Sequence, residues 1–215
     1  MKFIAVNGSP RKTWNTGTLL SKTLEGAASQ GAETELFHLY DYHFTGYISC
    51  FACKTRNGES YGKCAVKDDL TPIYAKIKEA DALVLGSPIY FGDVSGEMRS
   101  FMERLLFPYL VYVFPPKTLF PKKIPVGMIY TMNAPEEVVQ RVGYDSLFSS
   151  NERVLSMIFG SAESLMSYDT YQFKDYSKMV ADGIDGEKKK KRHEEIFPID
   201  CEKAFELGVK MVKGR

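Results

Sequence analysis

Apolar and polar positions change their period several times along the chain, and each change predicts an element. Lys2-Phe3-Ile4-Ala5-Val6-Asn7 is a short apolar run with β-branched residues, the length of one buried strand. A polar stretch from Gly8 to Gly17 follows. Thr18 to Gln30 then carries Leu19, Leu20, Leu24, Ala27 and Ala28 at helical spacing, with Gly31 suited to the C′ position. Glu33 to Leu39 alternates as a half-exposed edge strand, in which His38 reads as an ordinary polar strand residue. Tyr47 to Asp69 has no period and holds the turn signals Asn57-Gly58 and Tyr61-Gly62, so it is a long irregular loop. Asp68 or Asp69 caps a helix with Leu70, Ile73, Tyr74 and Ile77 on one face and Pro72 in its first turn.

Asp81 to Ser87 is a near-continuous apolar run, as expected of a central parallel strand covered on both faces. A loop, Ser87 to Val94, follows, and Ser95 caps a helix whose Met98, Phe101, Met102 and Leu105 share one side. Phe107 to Pro125 is rich in aromatics and proline and reads as a long loop with exposed apolar surface, of the kind that meets a partner subunit. Ile124 to Thr131 is another buried strand. Asn133 to Pro135 open a helical region that breaks near Gly143 and stops at Gly160, and Ala162 to Tyr168 is the last strand. Asp169 to Phe197 is polar, and its Lys188 to Arg192 run reads as a solvated helix face. Pro198 and Asp200 begin a final helix that turns Ala204, Leu207, Gly208 and Met211 inward.

Helices alternating with strands imply parallel neighbours joined by right-handed crossovers. The expected fold is α/β: a flavodoxin-like, doubly wound, five-stranded parallel sheet of order 2-1-3-4-5. Residues 1–215 read as one domain, with a C-terminal helical extension from about residue 170. In this topology the ligand lies beyond the carboxyl ends of strands 1 and 3, where the order reverses. Gly8–Gly17 and Ser87–Val94 follow those two strands and face each other across one crevice.

Composition narrows the classes. The 215 residues are 44% apolar, enough for a real core, and the formal charge of +1 argues against nucleic-acid binding driven by global charge. The same balance argues against an acidic electron carrier. No run approaches the roughly 20 apolar residues of a membrane span. Without a signal-like apolar stretch at the start, a cytoplasmic protein is expected. Four cysteines are too few for a disulfide framework.

The first loop offers the hydroxyls of Ser9, Thr13, Thr16 and Thr18, the amide of Asn15, the guanidinium of Arg11 and the start of a helix, all suited to a phosphate. The second offers Pro88, Ile89, Tyr90, Phe91 and Gly92, a stiff, aromatic and close-packing set suited to a flat ring. Thr131-Met132-Asn133 closes the other side. A phosphate at one end and a planar heterocycle at the other describe a mononucleotide, and in this topology FMN leads. A phosphoacceptor signalling domain would need carboxylates that these loops lack.

Gly8-Ser9-Pro10-Arg11-Lys12 with Asn15-Thr16, and Ser87-Pro88-Ile89-Tyr90-Phe91-Gly92-Asp93-Val94-Ser95-Gly96, resemble the two loops of the NADPH-dependent FMN reductase and iron–sulfur flavoprotein family. Gly62-Lys63-Cys64 with Asp68-Asp69-Leu70 is also similar to it. The resemblance is strongest from Lys2 to Arg104. It implies bound FMN, NADPH or NADH as co-substrate, and a homodimer or homotetramer. By it, Ser9, Arg11, Asn15 and Thr16 fall on the phosphate loop and Pro88 to Gly92 on the isoalloxazine loop. Trp14 stands where that family often has glycine.

Iron–sulfur members resemble C-x2-C-x2-C-x(4–7)-C. Here Cys50 and Cys53 match the first two positions, Arg56 stands at the third, Cys64 matches the fourth, and Cys201 is remote. Three local thiolates fall short of the four usual for a cubane, so no cluster and no metal are expected. Zinc held with His43 and a Cys50–Cys53 redox pair rank below structural or idle thiols.

The expected function is hydride transfer from nicotinamide to bound FMN, then electron transfer to a quinone, free flavin or other small acceptor. The cofactor carries that chemistry, so no catalytic side chain is nominated. The alternative is an FMN-binding electron carrier reduced by a protein partner.

Overall fold

The computed structural model describes residues 1–214. The chain opens with β1 (Lys2–Asn7), α1 (Asn15–Ser29) and β2 (Glu33–His38). After a long irregular stretch come α2 (Leu70–Glu79), β3 (Ala82–Tyr90), β4 (Asp93–Val94) and α3 (Gly96–Leu106). Two short strands, β5 (Leu110–Val111) and β6 (Lys117–Thr118), precede β7 (Ile124–Thr131). The remainder is α4 (Glu136–Val142), α5 (Asp145–Phe159), β8 (Gly160–Ser167), α6 (Gly186–Glu195) and α7 (Phe197–Lys213).

The main sheet runs β2-β1-β3-β7-β8, and each neighbouring pair is parallel. This is the expected flavodoxin-like order, with β7 and β8 as the fourth and fifth long strands. Side chains alternate across it as a two-residue period requires. Ile4, Val6, Leu83 and Leu85 face a core shared with α2, α3 and α5. Phe3, Ala5, Ala82 and Val84 face the other, shared with α1 and α7. Both faces being covered explains why β3 reads as an unbroken apolar run.

α7 lies directly on α1. A Cβ on Gly26 would stand 2.0 Å from the Phe205 carbonyl oxygen, and one on Gly208 would stand 1.9 Å from that of Thr23. The two helices therefore meet backbone to backbone, and a methyl group at either glycine would force them apart.

Several boundaries differ from the sequence reading. α1 starts at Asn15 rather than Thr18, because the Trp14 carbonyl already accepts the Thr18 N–H at 2.8 Å. Ser87–Val94 is not a loop: β3 runs on to Tyr90 and turns back antiparallel as β4. Phe107–Pro125 contains a 3₁₀ turn and the β5–β6 pair. The last helix begins at Phe197, which is buried in the core. α6 exposes Lys188, Lys190 and Lys191, but Lys189 is buried against Asp169 and Arg192 is paired with Asp200. The basic run is thus a solvated face with an anchoring face at i, i+3 behind it.

Candidate functional site

The chain leaves β1 at Asn7, which is fully buried. Its Oδ1 accepts the Ser9 N–H at 2.9 Å, and its Nδ2 meets His38 Nδ1 at 3.0 Å. The Gly8 N–H donates to the Gly86 carbonyl at 2.8 Å, which pins the loop to β3. Ser9 Oγ accepts the Arg11 N–H at 3.2 Å. The loop then enters α1 with Trp14 at the cap position, no side chain capping the helix and no acidic residue in its first turn. Asn15, Thr16 and Gly17 of that turn are buried. The protein thus leaves the positive end of this helix unanswered, in the form that binds an anion. α3 is the contrast, since Ser95 Oγ accepts the Met98 N–H at 3.3 Å. The same hydroxyl donates to the Gly8 carbonyl at 2.6 Å, and the Ser95 N–H donates to Ser87 Oγ at 2.9 Å. One serine therefore ties the first loop to the second.

The second loop is a hairpin. Phe91 and Gly92 turn the chain between the paired Tyr90 and Asp93, with φ of 50° and 85°. Positive φ at both positions is what a type I′ turn requires. Glycine bears it freely, whereas phenylalanine is strained there. The Phe91 side chain gains no burial in exchange: it is fully exposed, and Tyr90 is about half exposed. Arg99 pairs with Asp93 at 2.5 Å and holds the hairpin to α3. Burial pushes the Tyr90 phenol up, and the Arg11 charge across the crevice opposes it.

The third side is the end of β7. Thr131 Oγ1 and Thr16 Oγ1 lie 2.7 Å apart. Lys189 Nζ donates to the Asn133 carbonyl at 2.6 Å, and Asn133 Oδ1 is buried with no partner among the described residues. The structure thus brings Ser9, Thr16, Thr131 and Asn133 together with the Pro88–Gly92 hairpin around one crevice.

Three expected residues point elsewhere. Arg11 Nη1 donates to the Gln172 carbonyl at 2.6 Å and Asn15 Nδ2 to the Tyr171 carbonyl at 2.8 Å. Thr18 lies a turn into α1 and lines an outer cleft of about 770 Å³ with Trp14, Tyr171, His193 and Phe197. Conversely, sequence reasoning passed over Tyr40. Burial and the neighbouring Glu97 push its phenol up, and Tyr90 lies close by. Its position, just past the carboxyl end of β2, was the available signal.

All four cysteines are free. Cys50 is exposed, Cys53 buried and Cys64 partly buried around a small cavity beside Arg104. Burial pushes the Cys53 thiol up. Among the described residues, no three of His, Cys, Asp and Glu group so as to hold a metal ion.

The family model for NADPH-dependent FMN reductase matches residues 1–139. An iron–sulfur flavoprotein of Methanocaldococcus jannaschii is 42% identical over 104 residues, 48% of this chain and 51% of that protein. The match thus spans about half the length of that relative. An NAD(P)H:quinone oxidoreductase from Methanothermobacter marburgensis shares the fold with a TM-score of 0.69 at 16% identity, over 98% of this chain and 96% of that one. An FMN-dependent NADH-azoreductase from Bacillus anthracis, solved in complex with FMN, gives a TM-score of 0.68 at 10% identity over 99% and 100%. The family match covers well over half of the chain, which therefore belongs to the NADPH-dependent FMN reductase family.

Proposed function

We propose that the chain is an FMN-dependent NAD(P)H oxidoreductase that passes reducing equivalents to a quinone, a free flavin or another small acceptor. The observation that carries this reading is the pairing, across the switch point, of an uncapped helix N-terminus with an exposed aromatic hairpin. Family membership and the quinone- and azo-reducing neighbours support it.

The residues fit FMN on two counts. The buried first turn of α1, beside the Ser9 and Thr16 hydroxyls, has the donors and dipole for a terminal phosphate. The unpartnered Asn133 Oδ1 is an acceptor for a ring N–H. Pro88, Ile89, Tyr90, Phe91 and Gly92 would line the ring, with backbone N–H groups of this hairpin toward the edge that gains negative charge. FMN, when bound, supplies the hydride acceptor and the electron store. The protein's work is binding, orientation and the shaping of a mouth where Tyr90 and Phe91 receive nicotinamide and acceptor in turn.

We further assign the protein to the cytoplasm as a homodimer or homotetramer. Four free thiols support the first point, and the exposed Tyr112 and Phe114 beside β5 and β6 support the second. No described helix is long and apolar enough to cross a membrane. The test is a visible spectrum of the purified protein, before and after anaerobic addition of NADPH and NADH in turn. A flavin band bleached by either nicotinamide is expected. A colourless protein that takes up no added FMN would sink the reading, and an FMN form reduced only by a protein donor would make it a carrier.

A further inference from the structure

The segment that joins β8 to α6 crosses the outside of the first loop. We propose that Thr170–Gln172 form a latch on this loop, that Trp14 is the positioning residue holding it shut, and that the latch sets how long FMN stays bound. This rests on the FMN reading above.

Arg11, Trp14 and Asn15 all donate to two consecutive carbonyls of the latch. Arg11 Nη1 reaches Gln172 at 2.6 Å, while Trp14 Nε1 and Asn15 Nδ2 reach Tyr171 at 3.0 and 2.8 Å. An indole has one donor and no acceptor, so this bond commits the whole polar capacity of Trp14. The Arg11 guanidinium also lies over the indole, 5.2 Å from its centroid. Trp14 therefore holds both the latch and the neighbouring donor.

The far end of the latch is tied to the third side of the crevice. The Thr170 N–H and Oγ1 both donate to the Met132 carbonyl, at 2.9 and 3.1 Å. The Asp169 N–H donates to the Ala134 carbonyl at 2.9 Å, and Lys189 bridges Asp169 and the Asn133 carbonyl. The latch thus closes a ring from the first loop to the end of β7.

Thr170 anchors the latch in a buried position, whereas the Tyr171–Gln172 half lies at the surface, where Tyr171 meets the rings of Tyr176 and His193. Gln172 is exposed, Tyr171 is partly buried, and the outer cleft of about 770 Å³ lies against Trp14 and Tyr171. The Tyr171–Gln172 half, held by polar ties and surface ring contacts rather than by core burial, is the part that opens at low cost, with Thr170 as its anchor. Opening it frees the Arg11, Trp14 and Asn15 side chains and so loosens the loop that would hold the phosphate. This also gives tryptophan a reason to stand in this loop: it brings a donor with the reach to meet the Tyr171 carbonyl.

The test uses the full chain loaded with FMN, with release followed by the fluorescence of free FMN on dilution. Trp14→Phe keeps the ring and removes the donor. Thr170→Val cuts a tie at the far end, away from the loop. Both are expected to speed FMN release roughly two- to tenfold, the range of one lost hydrogen bond. Affinity for riboflavin, which lacks the phosphate, should stay within about twofold by the same reasoning. Unchanged release from Trp14→Phe would overturn the latch, as would a fall in riboflavin affinity equal to that for FMN. Fast release from Trp14→Phe with none from Thr170→Val would also overturn it, since Trp14 would then act on the loop alone. A wild-type chain that does not retain FMN overturns the functional reading as well. Wild-type retention with an unaltered variant overturns only the latch.

Discussion

Asn7, Ser9 and Thr16, at the base of the first loop, are all but inaccessible although Pro10 to Thr13 at its tip are exposed, whereas Tyr90 and Phe91 of the facing hairpin are 46% and 108% exposed. The first loop is held by bonds to β3, to Ser95 and to the latch. The hairpin is held by its short ladder, by the Ser87–Ser95 bond and by the Asp93–Arg99 pair, and it keeps a strained phenylalanine at its tip. The difference divides the labour of the site. On the proposed function, the anchored base of the first loop would secure the cofactor's phosphate with binding energy remote from the reaction. The open hairpin would then leave a face that two different substrates could share in turn.

The hardest way to break this division is to spoil the closed end. The Lys12 carbonyl folds over Gly17, so a Cβ there would stand 1.8 Å from that oxygen. Backbone, not a flexible side chain, must give way. Gly17→Ala should destabilise the apo-protein by about 3 kcal/mol, the upper part of the overpacking range. That corresponds to a melting temperature lower by roughly 6–12 °C for a domain of this size. FMN affinity should fall with it by at least about tenfold, since the loop that leads into α1 moves. Calorimetry and FMN titration check both. A normal melting temperature with normal FMN binding would show that the closed end is not rigid.

The opposite intervention relaxes the open end. Phe91 pays for positive φ without burying its ring, so Phe91→Gly should stabilise the fold. The relief of roughly 1–2 kcal/mol for an L-residue in this region is offset in part by glycine's freer unfolded chain. A net gain of about 0.5–1 kcal/mol is expected, a rise of roughly 1–4 °C. The KM for nicotinamide or acceptor should rise severalfold because the aromatic edge of the mouth is gone. A less stable variant, or one with unaltered KM for both substrates, would show that the ring packs on something or serves neither substrate.

The fold was largely legible because the strands that build it are apolar runs of strand length between helical repeats. The crevice followed from the reversal of strand order. The details that escaped have identifiable causes. The hairpin was hidden because Phe91-Gly92 lacks the Asn-Gly or Asp-Gly pair that announces a type I′ turn. The first turn of α1 was hidden because Asn15 and Thr16 are polar yet buried, bonded to the Tyr171 carbonyl and to Thr131 rather than packed in an apolar core. Lys189 and Arg192 were masked by the cations beside them, their partners Asp169 and Asp200 lying outside the run. The role of Trp14 could not be read at all, since its partner is a backbone carbonyl 157 residues away, which any residue type would supply.

The gentlest probe of the closed end is pH, through the mount beneath Ser9. Asn7 Oδ1 is committed to the Ser9 N–H, so its Nδ2 is the atom that faces His38 Nδ1. An amide nitrogen only donates, so Nδ1 must accept and the neutral His38 carries its proton on Nε2. Protonating Nδ1 removes that acceptor. Burial lowers the His38 pKa below the usual 6.5, with Asp41 pulling it up and Lys12 pushing it down. The unfolded chain then binds this proton at a higher pH than the native one, so stability rises with pH between the native pKa and about 6.5. The contribution is intact above about pH 6.5, falls as pH drops below it, and levels off beneath the native pKa. His38 is only partly buried, so solvent screening keeps the effect to about 1 °C or less. His38→Gln does not titrate. The margin of wild type over this variant should therefore shrink between pH 7.5 and 5.5, and FMN affinity should follow it because Ser9 shares the mount. A constant margin would mean that His38 titrates alike in the native and unfolded states, and a margin that widens on acidification that the native protein favours its charged form; either would show that the Asn7–His38 contact does not support the first loop.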